Sequence, residues 1–287
     1  MVKRHLPIIL LTVLCILCIA GCGEKSTDLH ASAALWNLGD WALYDIHRIG
    51  TDGSEINGTL KISSVGQEMI EGHPYHWLEI REDSDQGVTI TKFLAREKDS
   101  YNPEDGFTFW DDIKRLIIQQ DANQPEEVPE QHIRRYAPHF IESGSAKRYG
   151  NVENVNPPQK EILPETEFTV NNGPVTAQGK RNVQHFTSSV NLGFLNLQDT
   201  TESSTEYYRN PDLPFGGIVK ATLSSTTTSV NKLKPEAAPK PPQVYEIEMK
   251  LKAFGNGAES QIIGTPVEME VMPFPFLEAA RKGATGA

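Results

Sequence analysis

The sequence predicts a mainly β protein, a β-rich α+β fold built as an antiparallel open or closed barrel with a short helical insertion. Three observations carry that expectation. Turn signals recur about every 8–12 residues over the first hundred positions, the spacing of sandwich and barrel strands. From Tyr245 to Ala253 apolar residues alternate strictly with Glu246, Glu248, Lys250 and Lys252, as on a strand with one wet face. Between these regions, over Thr108 to Ala137, apolar residues fall at helical spacing.

The chain of 287 residues opens with Lys3 and Arg4, followed by an uncharged, mostly apolar run of 15 residues from Leu6 to Ala20. That is the length of a signal peptide and short of the roughly 20 residues a helix needs to span a bilayer. The run ends in Ile19-Ala20-Gly21-Cys22, which resembles the lipobox of bacterial lipoproteins. The resemblance implies diacylglyceryl transfer to the Cys22 thiol, cleavage between Gly21 and Cys22, and acylation of the new amino terminus. Residues 1–21 are then a signal peptide and 22–34, polar and small, a lipidated tether. Two or three acyl chains anchor stably where one binds marginally, each buried CH₂ contributing ~0.8 kcal/mol. The expected location is the cell envelope. Gly23 follows the cysteine where aspartate would retain the protein at the inner membrane. By that resemblance a Gram-negative host would carry it on the outer membrane, facing the periplasm; otherwise it sits on the outer face of the cytoplasmic membrane.

With Lys3 and Arg4 gone, 25 basic residues face 38 acidic ones, a mature charge of −13. Such a surface repels phosphates, so nucleic acid is excluded as a partner and adhesion to anionic headgroups is disfavoured. Cys15 and Cys18 leave with the leader and Cys22 is the acyl site. None of the three cysteines is then left for a disulfide, a thiolate nucleophile or a Cys-type zinc site.

A single β-rich domain is expected over 35–255. Trp41 to Ile49 reads as a strand, closed by the turn Thr51-Asp52-Gly53-Ser54. Thr59 to Val65 follows, broken by Gly66, and Gln67–Ile70 with Tyr75–Arg81 reads as a hairpin about Glu71-Gly72. Val88 to Arg96 is a further strand. Thr108 with Asp111 suggests a capping box, and Trp110, Ile113 and Ile117 share one helical face. Pro129 suits the first turn of a second helix with Ile133, Tyr136 and Ala137 inward, ended by Pro138. The helical insertion therefore spans about 107–142, with an acidic loop, Asp121 to Glu130, between its helices. Period two returns at Glu167–Val170, Val175–Ser188, Thr200–Tyr208 and Ile218–Thr228. The Pro-rich loop 231–242 joins the last of these to the strand at Tyr245–Ala253. Residues 256–287, interrupted by Gly and Pro, are expected as a poorly ordered tail.

A β meander, two lid-like helices and more strands behind a lipid anchor resembles the open half-barrel of the periplasmic lipoprotein carrier and its outer-membrane receptor. The stretches WNLGDWALYDI, EGHPYHWLEI, DLPFGGIVKA and AFGNGAES are similar to those of uncharacterised bacterial envelope proteins. The half-barrel resemblance implies an apolar ligand in a concave face. The chain is longer than that carrier and lacks its long N-terminal helix, so no functional residue is carried over.

His73 and His76 are three apart and fall on opposite faces of a strand, and Pro138 separates His132 from His139, so neither pair reads as a metal site. Pro214-Phe215-Gly216-Gly217 lacks the Gly-Lys-Ser/Thr of a phosphate loop, and Gly255-Asn256-Gly257 stands outside any βαβ unit. No G-x-S-x-G elbow is present, and Asp111-Asp112 and Glu126-Glu127 read as solvated charges. No catalytic residue, metal or cofactor is assigned. The aromatic residues Trp41, Tyr44, Trp77, Phe93, Trp110 and Phe215 read as core, or as the lining of an apolar groove under the helices. The expectation is a non-catalytic, lipid-anchored envelope protein that binds a lipid or other apolar or amphipathic ligand. A structural or assembly lipoprotein that contacts an envelope protein through a sheet edge, the Pro125–Glu130 segment or the Pro-rich loop is the alternative. An unidentified enzyme comes third.

Overall fold

A computed structural model describes residues 36–96, 113–136, 151–154, 159–191, 196–233 and 241–270. These form one large open sheet of thirteen strands and a single short α-helix. The first meander comprises β1 (Trp41–Ile49), β2 (Glu55–Ile70), β3 (His73–Ser84), β4 (Gly87–Arg96) and β5 (Ile113–Gln120), then the short β6 (Glu126–Glu127). After α1 (Glu130–Tyr136) the second half holds β7 (Asn151–Asn154), β8 (Gln159–Val170), β9 (Gly173–Asn191) and β10 (Asn196–Arg209). It ends with β11 (Ile218–Asn231), β12 (Gln243–Gly255) and the two-residue β13 (Val267–Glu268).

In space the order is β13-β6-β5-β4-β3-β2-β1-β12-β11-β10-β9-β7, with β8 also on β9. Every pairing is antiparallel except β13 with β6. The two halves are therefore joined at the centre by β1 against β12, where Tyr44 faces Leu251 and Ile46 faces Met249. The strict alternation of β12 is satisfied here, since Ile247, Met249 and Leu251 are buried and Glu246, Glu248 and Lys250 are exposed. Neighbours β11 and β12 pair antiparallel, so the Pro-rich segment connects adjacent strands.

Alternation also builds the core. Tyr44, Leu60, Ile62, Leu78, Ile80, Phe93 and Leu116 come from five successive strands onto one face, where β11 and β12 add Ala221, Leu223, Met249 and Leu251. The turn at Glu71-Gly72 has positive φ at both positions, the geometry of a tight hairpin. Gly66 does not end its strand; it places a bulge in β2, and a Cβ there would lie 3.2 Å from the Trp77 indole.

The expected first helix is corrected by the structure: residues 113–120 are β5, paired with β4 so that Phe93 faces Leu116. The four-residue spacing of Ile113 and Ile117 fits a helix, but a register shift between them turns Ile113 to the main core and Ile117 to the other face of the strand. The decisive feature is three consecutive apolar residues. Leu116 and Ile118 enter the main core, while Ile117 points to the opposite face, where a second cluster buries it. Thr108, Trp110 and Asp111 lie outside the described residues. The second helix is found as α1, with Pro129 just before its first residue and Ile133 buried in the core.

At the other end of the sheet, Asn171 and Asn172 of the β8–β9 turn reach β12 beyond the start of β11. The Asn171 N–H donates to Lys252 O, and the Asn172 side-chain amide both donates to Phe254 O and accepts from Phe254 N. The amide thus takes the place of a strand backbone along that part of β12. Beyond β12 the chain turns back. Residues 256–264 form a strap over the outer face of the sheet, opposite the main core, and the chain continues to β13 on β6, beside which Met269 joins the main core. That segment falls within the expected tail, and 271–287 lie outside the described residues.

Candidate functional site

Of the six aromatic residues singled out from the sequence, the five among the described residues fall in different places on the sheet. Tyr44, Phe93 and Phe215 are 0%, 1% and 4% exposed and belong to the main core. Phe215 stacks on Trp36 at 5.8 Å. Burial pushes the Tyr44 phenol far above its ordinary value, against the pull of Arg209. Trp77 sits on the opposite face, in a second cluster with Tyr75, Leu94 and Ile117. Trp41 is half-buried; its indole N–H donates to Asn256 O at 3.3 Å, and Lys61 lies over its ring. Trp110, Gly21 and Cys22 fall outside the described residues.

Trp77 anchors the more distinctive chemistry. Its N–H donates to Glu68 at 2.7 Å, while Lys92 and Arg115 lie over its ring at 5.0 and 5.1 Å. Arg115 is held by a two-pronged bond to Glu127, at 2.7 and 3.0 Å, which raises its pKa further. Burial lowers the Lys92 pKa, with Glu79 opposing the shift. Beside this cluster a cleft of about 400 Å³ opens between β5, the start of α1 and β13. Lys114, Arg115, Glu127, Glu130, Gln131 and Glu268 give it a polar lining of two cations, three carboxylates and an amide. Backbone bonds fix its walls: Val128 N to Leu116 O, Val267 N to Pro125 O and Met269 N to Glu127 O. This arrangement can pair with mixed charges on a macromolecular surface and offers little to an acyl chain.

The strap explains two buried polar side chains on the same face. Glu79 is 2% and Gln119 3% exposed, yet both lie on the outward side of their strands. The Glu79 carboxylate accepts from Gln261 N at 2.8 Å and Ser260 Oγ at 2.7 Å. The Gln119 amide accepts from Ile263 N and donates to Ile263 O, at 3.0 and 3.1 Å. Sequence reasoning missed all of these residues. Glu79 reads as the wet side of a strand, and only the distant strap makes that side dry.

Other motifs have structural roles. Pro214–Gly217 forms a tight 3-10 entry into β11, where a Cβ on Gly217 (φ +71) would lie 1.9 Å from Asn210 O. Asn256 bridges Asp40 and Leu38 O at the head of the strap. His73 is exposed and His76 buried edge-on to Trp36. His132 lies in α1, and His139 is outside the described residues. Among the described residues no group of three His, Cys, Asp or Glu side chains suits a metal ion, and no helix is long and apolar enough to cross a membrane.

No protein-family model matches the chain, and no curated protein matches it. Among solved structures it is similar to a Bacteroides fragilis protein described as exported and as having a YmcC-like fold. The identity is 8%, with 76% of this chain and 97% of that chain covered, at a TM-score of 0.24. A likeness that loose leaves the fold to rest on the strand pairings above.

Proposed function

We propose that this is an exported envelope protein, held to a membrane by acyl chains on Cys22, which acts without catalysis by contacting another envelope protein. The leader and its terminal cysteine support the address and the anchor. The observation that carries the contact is the charged cleft. Three separated stretches of chain bring Lys114 and Arg115 against Glu127, Glu130 and Glu268 around an opening of about 400 Å³. Paired opposite charges with open sides give register and selectivity to a protein contact. Four of the aromatic residues that an apolar ligand would need, Tyr44, Phe93, Phe215 and Trp77, are occupied in the two buried clusters.

The test places a photo-crosslinking residue at Gln131 in the membrane-anchored full chain. One discrete adduct is expected, lost on combining Glu130→Lys with Glu268→Lys and absent from a control crosslinker at Thr226 on β11. Cys22→Ala should release the protein from the membrane fraction. No adduct at Gln131, together with a lipid-sized mass retained in native mass spectrometry, would instead support the apolar-ligand role.

A further inference from the structure

We infer that the outer face of β3–β5 is a peptide-reading groove, and that the strap is its resident, exchangeable occupant. An extended segment of a partner polypeptide can replace the strap if it carries a hydroxyl residue two places before an aliphatic one. This rests on the protein-contact reading above and names the partner's chemistry. Glu79 and Gln119 grip the strap by its backbone at alternate residues, Gln261 and Ile263, as a groove for any extended chain would. Selectivity comes from two side chains. The Ser260 hydroxyl donates to Glu79 and accepts from Lys92 at 3.0 Å, and Ile262 packs on the Tyr75–Trp77–Leu94–Ile117 cluster. The next residue, Ile263, is 77% exposed and adds no side-chain demand. Between Ala258, bonded to Gly39 O, and Val267, bonded to Pro125 O, hydrogen bonds to the side chains of Glu79, Arg81, Lys92 and Gln119 hold the strap, and none of them is a strand ladder. Such a segment can lift without breaking the sheet. Gly257 (φ +88), at the head of the strap, is open to solvent on its Cβ side and suits a hinge.

A tethered strap competes at an effective concentration on the order of millimolar, so an outside peptide binds the wild type weakly. The probe is a fluorescein-labelled synthetic peptide of residues 258–269, titrated into the purified full chain. Ile262→Asp in the protein should tighten its binding by about 10-fold or more by weakening the tethered competitor. Adding Glu79→Ala, or moving Ile262→Asp into the peptide, should abolish that binding. Equal binding to wild-type and Ile262→Asp protein, or unchanged binding of the Asp-bearing peptide, would overturn the inference. Hydrogen exchange on the wild type gives a second measurement that needs no variant. The amides of Gln261 and Ile263 should exchange at least about 10-fold faster than those of β3 and β4, by local opening. Equal rates would mean that the strap opens only with global unfolding, which also overturns it. A crosslink at Gln131 without peptide exchange would leave the contact reading standing and this inference refuted; peptide exchange without that crosslink would move the contact from the cleft to the groove.

Discussion

At the scale of single residues, the ion pair inside the sheet has the clearest consequence. Arg48 and Glu82 meet at 2.8 Å with side chains 4% and 2% exposed. Burial raises the Glu82 carboxyl above its ordinary value of 4.5, and the charge and hydrogen bond of Arg48 only partly offset this. The folded chain therefore keeps this proton to a higher pH than the unfolded chain does. Where the folded state binds more protons, stability falls as pH rises. The contribution of Glu82 is full below 4.5 and is lost as pH climbs through the raised folded value. Urea unfolding across that range should show the decline in the wild type and a flatter profile in Glu82→Gln. Parallel profiles would show that Glu82 titrates as an ordinary carboxyl.

At the scale of elements, what was legible in the sequence depended on period. β1 and β12 each bury one face, so their alternation is explicit in the residues. β3 is buried at every position from Tyr75 to Ile80, because the strap covers its second face, and there alternation carries no signal. β5 reads as a helix because Ile113 and Ile117 sit four apart, and the register shift that sends them to opposite faces of a strand leaves no local signal. The strap has no period at all: side chains over a hundred residues away hold it, so neither it nor Glu79 and Gln119 could be found from local pattern. The open edge follows a different logic. Among the described residues β8 pairs only with β9, and a register shift at Leu163/Thr166 places Pro164 and Glu165 in a bulge. Proline removes a ladder donor, and the exposed charges of Glu161, Glu165 and Glu167 repel a second edge, while Ile162 is 70% exposed beside them. Replacing Pro164 and Glu165 together with threonine should flatten and neutralise that edge, so self-association should rise with concentration in size-exclusion chromatography. An unchanged elution profile at all concentrations would show that the bulge is not what keeps the edge single.

For the whole molecule, the governing fact is that the first strand and the twelfth are central neighbours. Trp41 faces Gly255, and the two strands lie about 200 residues apart in sequence. The hairpin of β3 and β4, by contrast, closes directly at Ser84 and Gly87. Closing a loop of that greater length costs roughly 3.5 kcal/mol more than closing a short hairpin, before any contact in it forms. The local meander should therefore be organised in the folding transition state, and the β1–β12 seam should close after it. Two buried side chains separate these stages, both 0% exposed: Leu78 in the meander and Met249 in the seam. Each truncation to alanine should cost about 2–5 kcal/mol, which is large enough to divide reliably between folding and unfolding rates. Leu78→Ala should mainly slow folding, whereas Met249→Ala should mainly speed unfolding and leave refolding nearly unchanged. If Met249→Ala slowed refolding by its full loss of stability, the seam would belong to the nucleus, and the two meanders would have to find each other before either was built.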